Sequence, residues 1–194
     1  MSDLSTLAIV RVGPSMSYSL LKVIGDTMVD SFKGAIADYK LMHHQAPHYA
    51  AINAGLLCSV LREQYPGHVL GVTDADLYSA DDGCIFAGKL DKANVAIVSS
   101  RRLMVQDISS PESFSLYVSR IIKESLHEVG HNFGLVHHYR LDKGQDKKLC
   151  PMSKGDFNKF GEKAYIEAII DGRGYRFCDF CYDVIAARVL HDSP

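Results

Sequence analysis

The chain lacks several features that would each point to a class of protein. It lacks a strong charge of either sign: 21 Lys and Arg stand against 23 Asp and Glu, a net charge of −2. A nucleic-acid binder usually shows a basic stripe, and Arg101-Arg102 is too short to be one, so no nucleic-acid partner is expected. It lacks an apolar run near the roughly 18 residues of a membrane span, so no membrane partner is expected either. Met1-Ser2-Asp3-Leu4 has no basic n-region, and Leu7 to Val10 is too short for the core of a signal peptide. The expectation is a cytoplasmic protein. There are no internal repeats and no low-complexity tracts. What is present is a 47% hydrophobic chain of 194 residues, enough for one domain with a real core. It also carries nine His and five Cys. In a reducing compartment those Cys argue for metal or redox chemistry before disulfides.

Thr6 to Val12 reads as a first strand that stops at Gly13-Pro14, and Tyr18 to Phe32 as a helix. Lys33 to Tyr39 is expected to be a second strand. Pro47 to Tyr65 is expected to be a helix, with Pro47 in its first turn and Pro66-Gly67 after it. Strands follow at Val69 to Thr73, at Cys84 to Gly88 (a short edge strand) and at Asn94 to Ser100. A long helix then begins with Ser110 as N-cap and Pro111 at its first position, and Gly134 ends it. Beyond lie a charged loop, a helix over Phe157 to Ile170, a Gly-rich turn over Asp171 to Tyr175, and a last helix over Asp179 to Leu190. Alternating strands and helices followed by helix and loop suggest an α/β sheet domain, residues 1–134, with a small appended subdomain, 135–194, in one folding unit.

Four His fall between residues 127 and 138. The segment His127-Glu128-Val129-Gly130-His131 is H-E-x-x-H, which places two imidazoles on one helix face, one turn apart. Gly134 lets the chain turn back, so His137 can bring a third nitrogen. Three protein ligands leave one position of a tetrahedral zinc open, as catalytic sites require, and three imidazoles without a carboxylate favour zinc over iron. Glu128 points about 100° round the helix from His127 and is placed to act as general base and then general acid, not as a ligand. Chance H-E-x-x-H is common, but the added Gly and third His at fixed offsets, at the end of a helix, are not.

At these residues the sequence resembles the metzincin metallopeptidases, and Met152 in Cys150-Pro151-Met152 is the candidate Met-turn residue, which the resemblance places beneath the imidazoles. It resembles one branch in particular, the archaemetzincins. In that branch a Cys follows the third zinc His, another stands two residues before the Met-turn Met, and a C-x-x-C comes later. Together the four bind a second, structural zinc. Cys150 and Cys178-Asp179-Phe180-Cys181 match, as do strand-like segments around Gly71 to Tyr78 and Val95 to Ser99. The resemblance covers residues 69 to 190 and, more loosely, the first 68. It implies a twisted mixed five-stranded sheet with a backing helix and an active-site helix, plus a zinc-stabilised C-terminal helical subdomain. It also implies a peptidase acting on a peptide or protein substrate, with two zincs per chain; a monomer is the expectation.

One position and one loop length depart from the family pattern. His138 stands where the first Cys belongs, and eleven residues separate it from Cys150, more than the family's usual few. Cys₃His is a sound zinc set, so His138 is expected to replace the thiolate; the other reading leaves it in solvent and the site with three Cys. A redox pair is the competing reading of Cys178 and Cys181. A second functional class also stays open, a zinc-stabilised peptide-binding or regulatory module with little turnover, as does the choice between exo- and endopeptidase. Cys58 reads as a buried thiol, and Cys84 as either buried or exposed. His43, His44 and His48 read as a solvated loop, and Asp74, Asp76, Asp81 and Asp82 as turn residues.

Overall fold

The computed structural model describes residues 6–46, 50–79, 83–90, 94–139 and 142–192. In chain order these form β1 (Thr6–Val12), α1 (Tyr18–Ser31), β2 (Asp38–His44), β3 (Ala51–Asn53), α2 (Ala54–Gln64), β4 (His68–Thr73), β5 (Asp76–Ser79), β6 (Gly83–Ile85), β7 (Ala87–Leu90) and β8 (Val95–Ser99). After a 3₁₀ turn at Arg101–Leu103 come α3 (Pro111–Asn132), α4 (Phe157–Phe160), α5 (Glu162–Tyr165), a π-helical segment (Ile166–Ile170) and α6 (Asp179–Asp192). The main sheet has five strands in the order β2-β1-β4-β8-β7, parallel except for β7, which runs antiparallel to β8 at the edge. It is the mixed five-stranded sheet that the resemblance implies.

Alternation along the strands sends side chains to two apolar layers. Leu7, Ile9, Leu70, Val72, Ala96 and Val98 join α1 and α3 on one face. Val10, Val12, Val69, Val95 and Ile97 join α2 on the other. With both faces covered, β4 and β8 are buried at every position, which is why they read as unbroken apolar runs. The first layer continues through Cys150, Met152, Ile169 and Phe177, so one core spans the sheet and the C-terminal portion. No helix among the described residues is long and apolar enough to cross a membrane.

The structure corrects several boundaries. Residues 33–37 are not a strand: Lys33 and Gly34 have φ of 49° and 92°, a left-handed turn after α1, and the strand starts at Asp38. His43 and His44 therefore lie in β2 and not in a loop, while His48 falls outside the described residues. The second helix begins at Ala54, because the Asn53 side chain caps it by accepting from the Leu56 N–H; β3 precedes it, and Pro47 lies outside the described residues. The expected strand at Cys84 to Gly88 is two strands, β6 and β7, with Phe86 between them, and β6 joins β3 and β5 in a second, three-stranded sheet. The Cys84 side chain, Asp81 and Asp82 lie outside the described residues. Asp76 is not a turn residue but opens β5, where its carboxylate takes both Arg102 Nε (2.7 Å) and Nη2 (3.1 Å). The helix expected over 157–170 breaks at Gly161, whose φ is 73°.

Candidate metal centres

Ser110 caps the long helix α3 by accepting from the Ser113 N–H, and Pro111 occupies its first turn, as the sequence indicates. At the other end the Gly134 N–H donates to His131 O (3.0 Å) and the Leu135 N–H to Gly130 O (3.1 Å), with Gly134 at φ 82°. This pair of bonds is a Schellman stop, and it reverses the chain sharply enough to bring residue 137 back over the helix. The segment after it is held by the Met152 turn: the His138 N–H donates to Met152 O and the Lys154 N–H to His138 O, both at 2.9 Å.

The result is a cluster of three imidazoles. Nε2 of His137 lies 3.0 Å from Nε2 of His131 and 3.2 Å from Nε2 of His127. The opposite nitrogens are anchored: Nδ1 of His127 lies 2.8 Å from Pro151 O, and Nδ1 of His131 lies 2.8 Å from Leu135 O. A ring whose Nδ1–H is given to a carbonyl presents an Nε2 lone pair, the form a metal needs. Burial, reinforced by the positive charge of Arg173, holds the His127 ring well below the ordinary histidine range and so keeps it neutral. The three residues could hold one metal ion. Glu128 is buried on the same helix, and its charge reaches Cys58 on α2 and Tyr165 at the end of α5.

Met152 is fully buried against the helix, where Gly130 opens the space: a Cβ at 130 would lie 2.7 Å from Met152 Sδ. The resemblance places Met152 beneath the imidazoles, and nothing in the spacing of the motif reveals the glycine at 130 that its packing requires.

A second cluster forms from His138, Cys150, Cys178 and Cys181, whose ligand atoms all lie within 4.8 Å of one another. His138 Nε2 is 3.0 Å from Cys181 Sγ and 3.7 Å from Cys178 Sγ, and Cys150 Sγ is 3.8 Å from Cys181 Sγ. Hydrogen bonding from Cys181, with the Cys178 N–H adding a second donor, draws the Cys150 thiol down to about 6, while Cys181 is pushed up by the same contact and Cys178 by burial. His138 thus turns inward to the thiols, with its side chain only 10% exposed. Cys58 stands apart, fully buried in α2.

Sequence reasoning missed the ionic network behind these centres. Arg173 is 1% exposed; its Nη1 donates to Glu124 (2.9 Å) and its Nε to Ser153 O (2.9 Å), and its Nη2 lies 3.5 Å from the Tyr165 hydroxyl. One turn earlier on α3, Arg120 grips both carboxylate oxygens of Asp171 at 2.8 and 2.7 Å, and Lys123 donates to Asp171 O. The helix that carries His127 and His131 is tied in this way to the C-terminal portion.

The profile of peptidase family M54 matches residues 61–144. The archaemetzincin of Methanopyrus kandleri is 31% identical over 128 residues, covering 57% of this chain and 68% of the relative. That of Pyrococcus furiosus is 32% identical over 118 residues, covering 60% of this chain but only 58% of the relative's length. The fold is that of solved archaemetzincins: the crystal structure from M. kandleri superposes with a TM-score of 0.71 at 23% identity over 95% of both chains. The structure from Archaeoglobus fulgidus, complexed with malonate, superposes at 0.62 and 19% identity over 92% of this chain and 99% of the other. The sheet and the two His-containing clusters define a metallopeptidase-type scaffold. The chain belongs to the archaemetzincin family, peptidase family M54.

Proposed function

We propose that the chain is a zinc-dependent peptidase in which His127, His131 and His137 hold a catalytic zinc and Glu128 is the general base and acid. The observation that carries this reading is the convergence of three Nε2 atoms whose outer nitrogens, at His127 and His131, are already engaged by carbonyls. The donor set fits zinc: three imidazoles and no carboxylate, which leaves one position of a tetrahedral ion for water. When bound, the zinc supplies Lewis acidity, lowering the pKa of water and polarising a substrate carbonyl.

The chain's own groups supply the rest. Glu128 accepts the proton of the attacking water at its carboxylate and passes it to the leaving amine. Pro151 O and Leu135 O keep the two helix imidazoles in one tautomer and one orientation. Strand β7 stands at the sheet edge, with no strand on its outer side among the described residues. An extended peptide substrate can pair there by strand addition, which fixes its backbone relative to the cluster. Cys150, Cys178, Cys181 and His138 hold a second, structural zinc that pins the C-terminal portion; three sulfurs and one nitrogen form a closed set.

Incubation of the zinc-loaded protein with a diverse peptide library tests the reading, with cleavage positions read by mass spectrometry. Cleavage is expected, lost with chelator and restored by zinc. Glu128→Ala is expected to keep both zincs and to lose about 10²–10⁴-fold in rate. Full turnover by that variant would remove Glu128 from the mechanism, and a loaded protein that cuts nothing would favour a peptide-binding module.

A further inference from the structure

We propose that Asp142 is a positioning residue for the second metal centre: its carboxylate fixes the His138 ring with Nδ1 protonated and Nε2 free to ligate. The inference rests on the reading that this cluster holds zinc.

The two nitrogens of His138 face different partners. Nδ1 lies 3.1 Å from Asp142 Oδ2, while Nε2 lies 3.0 Å from Cys181 Sγ and 3.7 Å from Cys178 Sγ. A carboxylate that takes the Nδ1 proton leaves the lone pair on Nε2, toward the thiols. The side chains are layered accordingly, His138 at 10% exposure and Asp142 at 49%, so the ring lies inward of the carboxylate. Asp142 is itself held in place, because the Cys150 N–H donates to Asp142 O at 2.8 Å. One residue is therefore bonded to two members of the cluster, through its carboxylate to His138 and through its backbone to Cys150.

Charge follows the same logic. Three thiolates and one neutral imidazole around Zn²⁺ sum to −1, whereas four thiolates would sum to −2. The Asp142 carboxylate, one bond out from the ring, returns the missing negative charge. It comes from the stretch between His138 and Cys150, so the long loop and the His at 138, two separate departures in the sequence, work here as one device.

The test compares wild type, Asp142→Ala, His138→Cys and the double variant, all zinc-loaded, by zinc content and by competition with a chromogenic chelator. Asp142→Ala is expected to weaken the second zinc about 10–100-fold while the first stays put. In the His138→Cys background, where no ring needs orienting, the same substitution is expected to change nothing. Ring ¹H–¹⁵N correlation spectra should show His138 as a single Nδ1–H tautomer in wild type and a mixture in Asp142→Ala. If Asp142→Ala does not fold, Asp142→Leu keeps the backbone bond but offers no acceptor to the His138 Nδ1–H, and is held to the same affinity criterion. A loss below about twofold, or an equal loss in both backgrounds, would overturn the role of Asp142. A wild-type protein that binds only one zinc would instead overturn the second centre itself, before Asp142 is in question.

Discussion

Gly130 stands directly against Met152, so closely that a Cβ there would force the neighbouring side chains to shift. The would-be Cβ lies 2.7 Å from Met152 Sδ and 3.2 Å from Leu135 Cδ1, both of them in buried side chains. Alanine favours a helix interior over glycine by about 1 kcal/mol. Overpacking a tight core costs about 1–3 kcal/mol. The second effect wins, so Gly130→Ala is expected to lower the unfolding midpoint despite better helix propensity. Because residue 130 lies between the two helix imidazoles, the variant is also expected to bind zinc at the three-imidazole cluster less tightly. Thermal melts with and without zinc measure both; a midpoint that rises would show that Met152 has room to move.

Arg173 and Glu124 form an ion pair with almost no solvent access, at 1% and 5% side-chain exposure. Removing one partner strands the other charge, which costs about 3–5 kcal/mol, whereas replacing both with apolar groups is often close to neutral. Arg173→Met is therefore expected to be severely destabilised in denaturant melts, and Arg173→Met with Glu124→Met to recover much of the loss. If the double variant is no better than the single one, the bonds of Arg173 to Ser153 O and Tyr165 matter more than its charge partner.

Metal loss has a separate signature. Cys178→Ser is expected to bind one zinc per chain in place of two, and to melt earlier by about 2–4 °C for each kcal/mol lost in a chain of this size. The three imidazoles are untouched, so the chemical step in the fraction that remains folded is expected to change little. Intact stability with unchanged zinc content would revive the reading of Cys178 and Cys181 as a redox pair.

Burial, helped by the nearby negative charge of Glu128, pushes the Cys58 thiol up to about 12. The native protein is therefore expected to leave Cys58 unalkylated at pH 8.5, while the denatured chain reacts there; peptide mapping distinguishes it from the other thiols. The sign of the linkage is fixed by the upward shift. The folded state holds this proton more tightly than the unfolded state, so the contribution is complete below the unfolded value near 9 and is lost as pH rises toward 12. Urea melts across that range should show stability falling with pH from this group.

The three-imidazole cluster could be read from sequence because helix geometry alone sets the spacing of His127 and His131, and a single glycine turn sets the return of His137. Cys178 and Cys181 were readable for the same local reason. The partners of Arg173 were not: Glu124, Ser153 and Tyr165 are separated from it by 49, 20 and 8 positions, and only tertiary packing brings them together. Arg120, Lys123 and Glu124 look like the wet face of an amphipathic helix, yet all three are buried, because the C-terminal portion covers that face with its own charges. The second sheet escaped notice because β3 and β6 are three residues each, too short for alternation to register. The break at Gly161 and the turn at Lys33 depend on φ values that composition does not reveal.

His137 and His138 are consecutive, yet one ring joins the three-imidazole cluster and the other joins the thiols. Neighbouring side chains on an extended backbone point to opposite sides, so a single peptide unit serves as the partition between the two clusters. The spacer between them has length zero. A residue inserted there would swing one ring to the wrong side and dismantle a centre, and one inserted between Gly134 and His137 would put both out of register. Val136 and Tyr139, on either side of the pair, are exposed at 63% and 75% and meet no such constraint. Along this stretch, variation is restricted by length more than by composition: side chains can be exchanged around the pair, but residues cannot be added within it.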